Sequence, residues 1–223
     1  MRRLFPHPAD DVTLLECYDV ERPKPHGRPW IELCMVAGLD GSTVVDRNSR
    51  ALSNATDQQL LITLRSLVDV VLVGAGTVRA EGYGPPKRPD LRIAVVSRTA
   101  DFDFDHPLWT SGRATLILPT DAPPVPVPSI RAGHRQVDLA AAVAQLDARL
   151  VQAEGGSTLN GMLAAAGLID ELNLTMSPQL NGGNGPRLTA GAPDLVTPMR
   201  LAHVLEDDGF LFTRYVRHND VSG

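Results

Sequence analysis

The chain has 223 residues, 43% hydrophobic and 21% charged, with a formal net charge of −5. That balance suits one globular core of roughly 100–200 residues with an appended arm and excludes a disordered chain, while the acidic sign excludes capture of nucleic acid or anionic membranes through an overall basic field. Cys17 and Cys34 form no CxxC pair and the six histidines are scattered, so neither a metal site nor a disulfide framework is expected; with no long apolar run, a reducing cytoplasm is.

In chain order, residues 1–29 carry Pro6, Pro8, Pro23, Pro25 and Pro29 and read as an arm in which only Val12–Val20 can form a short element. From Trp30 the pattern turns apolar. Ile31–Ala37 is a predicted strand that ends in the tight Gly38-Leu39-Asp40-Gly41 turn. Ser53 or Thr56 caps a helix to Leu67, since Leu60, Leu61, Leu64 and Leu67 recur at helical spacing. Val70–Val73, Ile93–Val96 and Thr115–Leu118 read as buried strands, and the proline-rich stretch 122–128 as a stiff connector. Asp138 caps an alanine-rich helix through Arg149, and Leu150–Ala153 is a strand. Thr158–Ala166 is a helix closed by Gly167. After a strand at Glu171–Ser177, Met199–Leu205 and Phe210–Val216 flank Asp207-Asp208-Gly209, a hairpin signal. The fold class is therefore α/β: a mixed, mainly parallel sheet over residues 30–218, helices on both faces, a C-terminal antiparallel hairpin, and a tail at 219–223.

Two segments carry chemistry. In Val70-Val-Leu-Val-Gly74-Ala-Gly76-Thr77-Val78-Arg79, a buried strand feeds a glycine turn that opens a helix, where free N–H groups and the helix dipole attract phosphate. Taken alone this loop serves equally well as a structural turn, because it reads GxGxxR rather than GxGxxG. Val151-Gln-Ala-Glu154-Gly155-Gly156-Ser157-Thr158-Leu159 repeats the device, and two such loops at the ends of parallel strands can face one crevice. Ser157 lacks the second glycine of a nucleophile elbow. Between the loops, the strand ending in Ser97-Arg98 offers a cation and a hydroxyl where an acidic residue would grip the ribose of NAD. That combination suits the 2′-phosphate of NADPH.

Taken with Leu39-Asp40-Gly41, Gly167-Leu-Ile-Asp-Glu-Leu172 and Ser177-Pro-Gln-Leu-Asn-Gly-Gly183, these segments resemble, in collinear order over about Pro29 to Val216, the reductase domain of bacterial bifunctional riboflavin-biosynthesis deaminase-reductases. They are equally similar to the stand-alone pyrimidine reductases of archaea and fungi. The resemblance implies a dihydrofolate-reductase-like fold, a homodimer, and NADPH-dependent reduction of a phosphorylated ribosylaminopyrimidine of the 5-amino-6-(5-phosphoribosylamino)uracil type. It implies that Gly74, Gly76, Thr77, Val78, Glu154, Gly155, Gly156, Ser157, Thr158 and Leu159 line the cofactor, with Ser97 and Arg98 near its adenosine phosphate. Cys34, Gly38, Asp40 and Ser53 fall on the substrate side. Asp40 is either a proton relay or the shaper of a tight turn.

The substrate side departs from the family. Cys34 and Gly38 stand where lysine and serine are common, and Glu81-Gly-Tyr-Gly-Pro-Pro86 replaces Asp-Asp-Pro-x-Leu-Thr. No H-x-E with P-C-x-x-C is present to build a deaminase zinc site, so only the reduction is expected. Reduction of a pterin or dihydrofolate, and nucleotide binding without turnover, are the alternatives.

Overall fold

In the computed structural model, which describes residues 1–46 and 48–218, the parallel run begins at the centre of the sheet. Among the described residues ten strands form it: β1 (Arg2–Phe5), β2 (Trp30–Ala37), β3 (Val70–Gly74), β4 (Arg92–Val96), β5 (Ala114–Leu118), β6 (Ser129–Arg131), β7 (Leu150–Ala153), β8 (Glu171–Met176), β9 (Met199–Asp207) and β10 (Phe210–Arg217). Their order is β1-β9-β10-β8-β2-β7-β3-β4-β5-β6. Strands β8 through β6 are parallel; β10, β9 and β1 extend the sheet antiparallel. The expected mixed sheet is thus observed, and the predicted tail at 219–223 lies outside the described residues.

Alternation along the strands builds two apolar layers. Val70 and Leu72 face one side with Ile31, Leu33, Val151 and Ala153, while Val71 and Val73 face the other with Ile93, Val95 and Leu116. Helices α5 (Leu139–Val143) and α6 (Ser157–Ala165) contribute to the first layer, and Leu108 and Trp109 of α4 (Pro107–Thr110) to the second.

Four local expectations are corrected. The cap of α2 (Ala55–Leu67) is Asn54, whose Oδ1 accepts from the Asp57 N–H at 2.8 Å, rather than Ser53 or Thr56. The helix begun at Asp138 stops at Val143, because the chain must reverse to enter β7 at Leu150. Beyond the proline connector, residues 129–131 add an edge strand to β5. The arm does more than pack: α1 (Leu14–Tyr18), fixed by a Thr13/Glu16 capping box, lies in a core shared with α2 and Phe212, and β1 covers the edge of β9.

Beneath that arm is a buried ionic cluster. Arg214 and Arg22 both bind Glu171, and Arg22 also pairs with Glu32 at 2.9 Å. Burial, with the neighbouring Glu171 charge, pushes Glu32 up to about 8, while Arg214 and Arg22 outweigh burial at Glu171 and hold it near 2. His203, edge-on to Tyr18, is pushed down to about 4 by burial and then by Arg214.

Candidate active site

Adjacent parallel strands β3 and β7 end side by side, so the two glycine loops touch. The Gly74 N–H donates to the Gly155 carbonyl at 2.7 Å, and the Glu154 N–H donates to the Leu72 carbonyl at 2.9 Å. From these ends start α3 (Ala75–Glu81), N-capped by Gly74, and α6, N-capped by Gly156; neither has a side-chain cap. The first-turn N–H groups of both helices are therefore left for another acceptor. The peptide joining Gly155 and Gly156 is cis.

The loops form one wall of a cleft of about 1350 Å³. A Cβ built on Gly76 would meet nothing within 4 Å, so open space lies directly over α3. Gly74 and Gly156 are closed in by contrast: their Cβ atoms would meet the Gly156 nitrogen at 3.4 Å and Thr77 Oγ1 at 3.0 Å. The loops thus meet closely at 74 and 156, with ordinary contact at the first and a tight approach to the Thr77 hydroxyl at the second, while at 76 the space is free for a ligand.

Of the expected cofactor residues, Gly74, Gly76, Thr77, Ser97, Arg98, Glu154, Gly156, Ser157, Thr158 and Leu159 line this cleft. Val78 does not; it is buried in the second apolar layer. Gly155 lies behind the wall, at φ +82°, against Met35. Val96 pairs with Gly74, which carries Ser97 and Arg98 just past the loop on the neighbouring strand. The Ser97 hydroxyl donates to the Thr99 carbonyl at 2.6 Å, whereas exposed Arg98 keeps its guanidinium free of any ion pair among the described residues.

The expected substrate residues divide. Cys34 lines the cleft, and burial followed by the Asp57 and Glu154 charges pushes its thiol well above the usual range, so it is protonated and a poor nucleophile. Gly38, Asp40 and Ser53 do not line it. Gly38 sits in a crowded turn: a Cβ there would displace the Asn181 side-chain amide, 2.2 Å away, and lie 3.0 Å from the Gln179 carbonyl. The exposed Asp40 carboxylate accepts backbone N–H bonds from Ser42, Asn181 and Gly182, which hold its pKa below the ordinary aspartate value. Of the two roles open to Asp40, this is the geometry of a turn residue. Ser53 acts on the cleft at one remove, donating to Asp57 Oδ2 at 2.6 Å.

Three cleft-lining side chains of candidate function were missed by sequence reasoning: Asp57 and Arg65 on α2, and Tyr83 after α3. Positions 57, 61 and 65 share one helical face, which looks into the cleft. Two opposite charges on a single face of an otherwise leucine-rich helix were the available signal. Gly82, at φ +67°, closes α3 and turns the chain so that the Tyr83 N–H donates to the Val78 carbonyl at 3.1 Å. That turn brings the phenol to Glu154. Glu154 accepts from Arg65 Nε at 2.7 Å, Arg65 Nη2 at 2.5 Å, Gln152 Nε2 at 3.0 Å and the Tyr83 hydroxyl. The Arg65 guanidinium carbon also sits 5.5 Å from the Tyr83 ring centroid. One end of the cleft is thus a phosphate-seeking double loop, and the other a polar pocket built on Glu154, Arg65, Tyr83 and Asp57.

A family model described as the RibD C-terminal domain matches residues 29–210. A 2,5-diamino-6-ribosylamino-4(3H)-pyrimidinone 5′-phosphate reductase of Methanothermobacter thermautotrophicus is 28% identical over 179 residues, covering 72% of this chain and 82% of that protein. Among solved structures, a pyrimidine reductase-like protein from Corynebacterium diphtheriae superposes with a TM-score of 0.81 at 22% identity, over 94% of this chain and 100% of that one. A dihydrofolate reductase from Enterococcus faecalis superposes with a TM-score of 0.51 at 13% identity, over 85% and 97%. The fold is that of the dihydrofolate-reductase-like proteins.

Proposed function

Because the chain belongs to the RibD C-terminal domain family, we propose that it is a riboflavin-pathway reductase that uses NADPH to reduce a 5′-phosphorylated ribosylaminopyrimidine. The observation that carries this reading is the single cleft in which the two glycine-capped helix starts and the Glu154–Arg65–Tyr83 pocket meet. Gly76, Thr77, Gly156, Ser157 and Thr158 suit a pyrophosphate, since their helix starts are open and Gly76 leaves room above it. Arg98 suits the 2′-phosphate of the adenosine half. NADPH, when bound, supplies the hydride.

The protein's own contribution is orientation and proton control. The ribosylamino group must open to an imine-like form, which requires a proton at the ring oxygen while water is kept out. Tyr83 holds its proton on Oη, its pKa pushed well above the tyrosine range by burial and then by Glu154. Met35, Val36, Leu159 and Met162 give the cleft an apolar lining that favours a bound ring over water.

A dihydropterin reductase is the second reading, favoured by the dihydrofolate reductase likeness. Steady-state NADPH oxidation with a ribosylaminopyrimidine phosphate and with dihydrofolate separates the two. Faster turnover of the pyrimidine phosphate supports the first; faster turnover of dihydrofolate replaces it with the second.

We read the protein as a cytoplasmic homodimer. Among the described residues no helix is long and apolar enough to cross a membrane. Because β1 already covers β9, the surface needing cover is not a C-terminal strand edge but the exposed Leu39, Leu180, Leu195 and Val196. Light scattering at micromolar concentration should give twice the chain mass; a monomer mass refutes the dimer.

A further inference from the structure

We propose that Glu32, buried beneath the cleft on β2, is a positioning residue for the site: its carboxyl donates a proton to Gln152 Oε1 and so fixes the amide that holds Glu154. This rests on Glu154 and Tyr83 acting in the cleft, as argued above. Strands β2 and β7 are parallel, with Glu32 opposite Gln152 in register, and both residues are 0% exposed. Gln152 Nε2 donates to Glu154 Oε1 at 3.0 Å, two residues along the same face of β7. Gln152 Oε1 is buried with no hydrogen-bond partner among the described residues, and neither Glu32 oxygen has one. Glu32 Oε2 is taken by the Arg22 ion pair at 2.9 Å, which leaves Oε1.

Two buried acceptors at paired positions repel each other unless one carries a proton, and a single proton on Glu32 Oε1 satisfies both. The surroundings favour that proton. On the other side of Glu32 stands Glu171 of β8, to which Arg22 and Arg214 are already bound. Tyr18 of α1, Cys34 of β2 and the neutral His203 of β9 add no positive charge, and Leu60 and Leu64 of α2 are apolar. Burial and then Glu171 outweigh both arginines and push the carboxyl up to about 8. The Gln152 amide then has one orientation, because flipping it would set Oε1 against the Glu154 carboxylate. Once Glu32 ionises, Gln152 Oε1 faces a second carboxylate and the amide loses its hold on Glu154, which keeps only Arg65 and Tyr83.

The test follows kcat/KM for a 2,5-diamino-6-ribosylaminopyrimidinone 5′-phosphate with NADPH between about pH 6 and 9, in the parent, Glu32→Gln, Glu32→Leu and Gln152→Met. In the parent kcat/KM should fall as pH rises through about 8. The amide of Glu32→Gln donates at every pH, so there the fall should move up by about one pH unit or more. Glu32→Leu has no donor and should lower kcat roughly tenfold at neutral pH with KM for NADPH unchanged, a loss that Glu32→Gln does not show. Gln152→Met removes the link at nearly constant volume, and adding Glu32→Gln to it should leave the pH profile in place.

Urea unfolding of the same proteins reads the proton without turnover, and the Glu32→Gln comparison stands even where Glu32→Leu does not fold. A carboxyl whose pKa is raised by folding stabilises most below its unfolded value, and that contribution is lost as pH rises through about 8. The parent should therefore lose stability relative to Glu32→Gln over that range, by an amount that changes in the Gln152→Met background. Parallel stability profiles for the parent and Glu32→Gln overturn the proton on Glu32. A fall in kcat/KM that Glu32→Gln leaves in place, or still moves without Gln152, overturns the route to Glu154. A parent that reduces no pyrimidine phosphate, yet shows the Gln152-dependent difference in stability, overturns the reductase reading and keeps Glu32 as the partner of Gln152.

Discussion

Replacing Glu154 by glutamine tests the keystone of the polar pocket. The Glu154 side chain is 4% exposed and its Arg65 partner 35%. An amide keeps the volume but turns an NH2 toward donors that all point at it, and leaves Arg65 without its counter-charge. Breaking a fully buried pair costs about 3–5 kcal/mol; because Arg65 can rehydrate through the cleft, a loss of about 2–4 kcal/mol is expected. At roughly 2–4 °C per kcal/mol for a chain of this size, Tm should fall by about 4–16 °C. Urea unfolding followed by circular dichroism measures the loss directly. In a cycle with Arg65→Met, the double variant should lose less than the sum of the singles, by about 1–3 kcal/mol. A loss below about 1 kcal/mol for Glu154→Gln, or strictly additive singles, would mean that the four bonds to Glu154 do not organise the pocket.

The remaining expectations concern the cofactor end, the Asp40 turn and the buried cluster. Arg98→Ala should narrow the preference for NADPH over NADH by about tenfold, and an unchanged ratio of dissociation constants removes Arg98 from the site. Gly76→Val should remain folded by circular dichroism, since nothing stands within 4 Å of its Cβ, yet lose NADPH binding; retained affinity contradicts a phosphate over α3. Asp40→Asn should lower stability while leaving kcat within about threefold, whereas a loss of 100-fold or more restores Asp40 as a proton relay. His203, held near 4 in the folded protein, is neutral there while the unfolded chain takes up a proton near 6.5. Its contribution is complete above 6.5 and is lost as pH falls through 4, up to about 3 kcal/mol, so His203→Gln should lose less stability than the parent between pH 7 and 4.5. Parallel pH profiles for the two proteins would exclude it.

The paired glycine loops of the cleft were legible because their determinants are local. A buried strand, glycines and a helix start follow one another within ten residues, and the chemistry of free N–H groups comes from that backbone path alone. Leu60, Leu61, Leu64 and Leu67 likewise fixed α2, and Asp208-Gly209, at φ 50° and 78°, fixed the β9–β10 hairpin. The polar pocket at the other end depends on contacts distant in sequence. Glu154 meets Arg65 across 89 positions and Tyr83 across 71, and only the adjacency of β3 and β7 brings them together. Gly38 and Asp40 were drawn toward the substrate by resemblance, but their loop is closed by Asn181 and Gly182, a tertiary contact with no trace in the local pattern. The β1 strand was hidden for a similar reason: four residues with a mostly exposed pattern become a strand only because β9 offers an open edge.

The central claim is tested most directly by incubating the protein with a 2,5-diamino-6-ribosylaminopyrimidinone 5′-phosphate and NADPH carrying deuterium at the nicotinamide C4, then locating the label in the product. The account predicts stoichiometric NADPH oxidation and a ribityl product bearing one deuterium at C1′, with Gly76→Val inactive under the same conditions. Consumption of NADPH without label at C1′, or no consumption by a protein shown to bind both molecules, would contradict it.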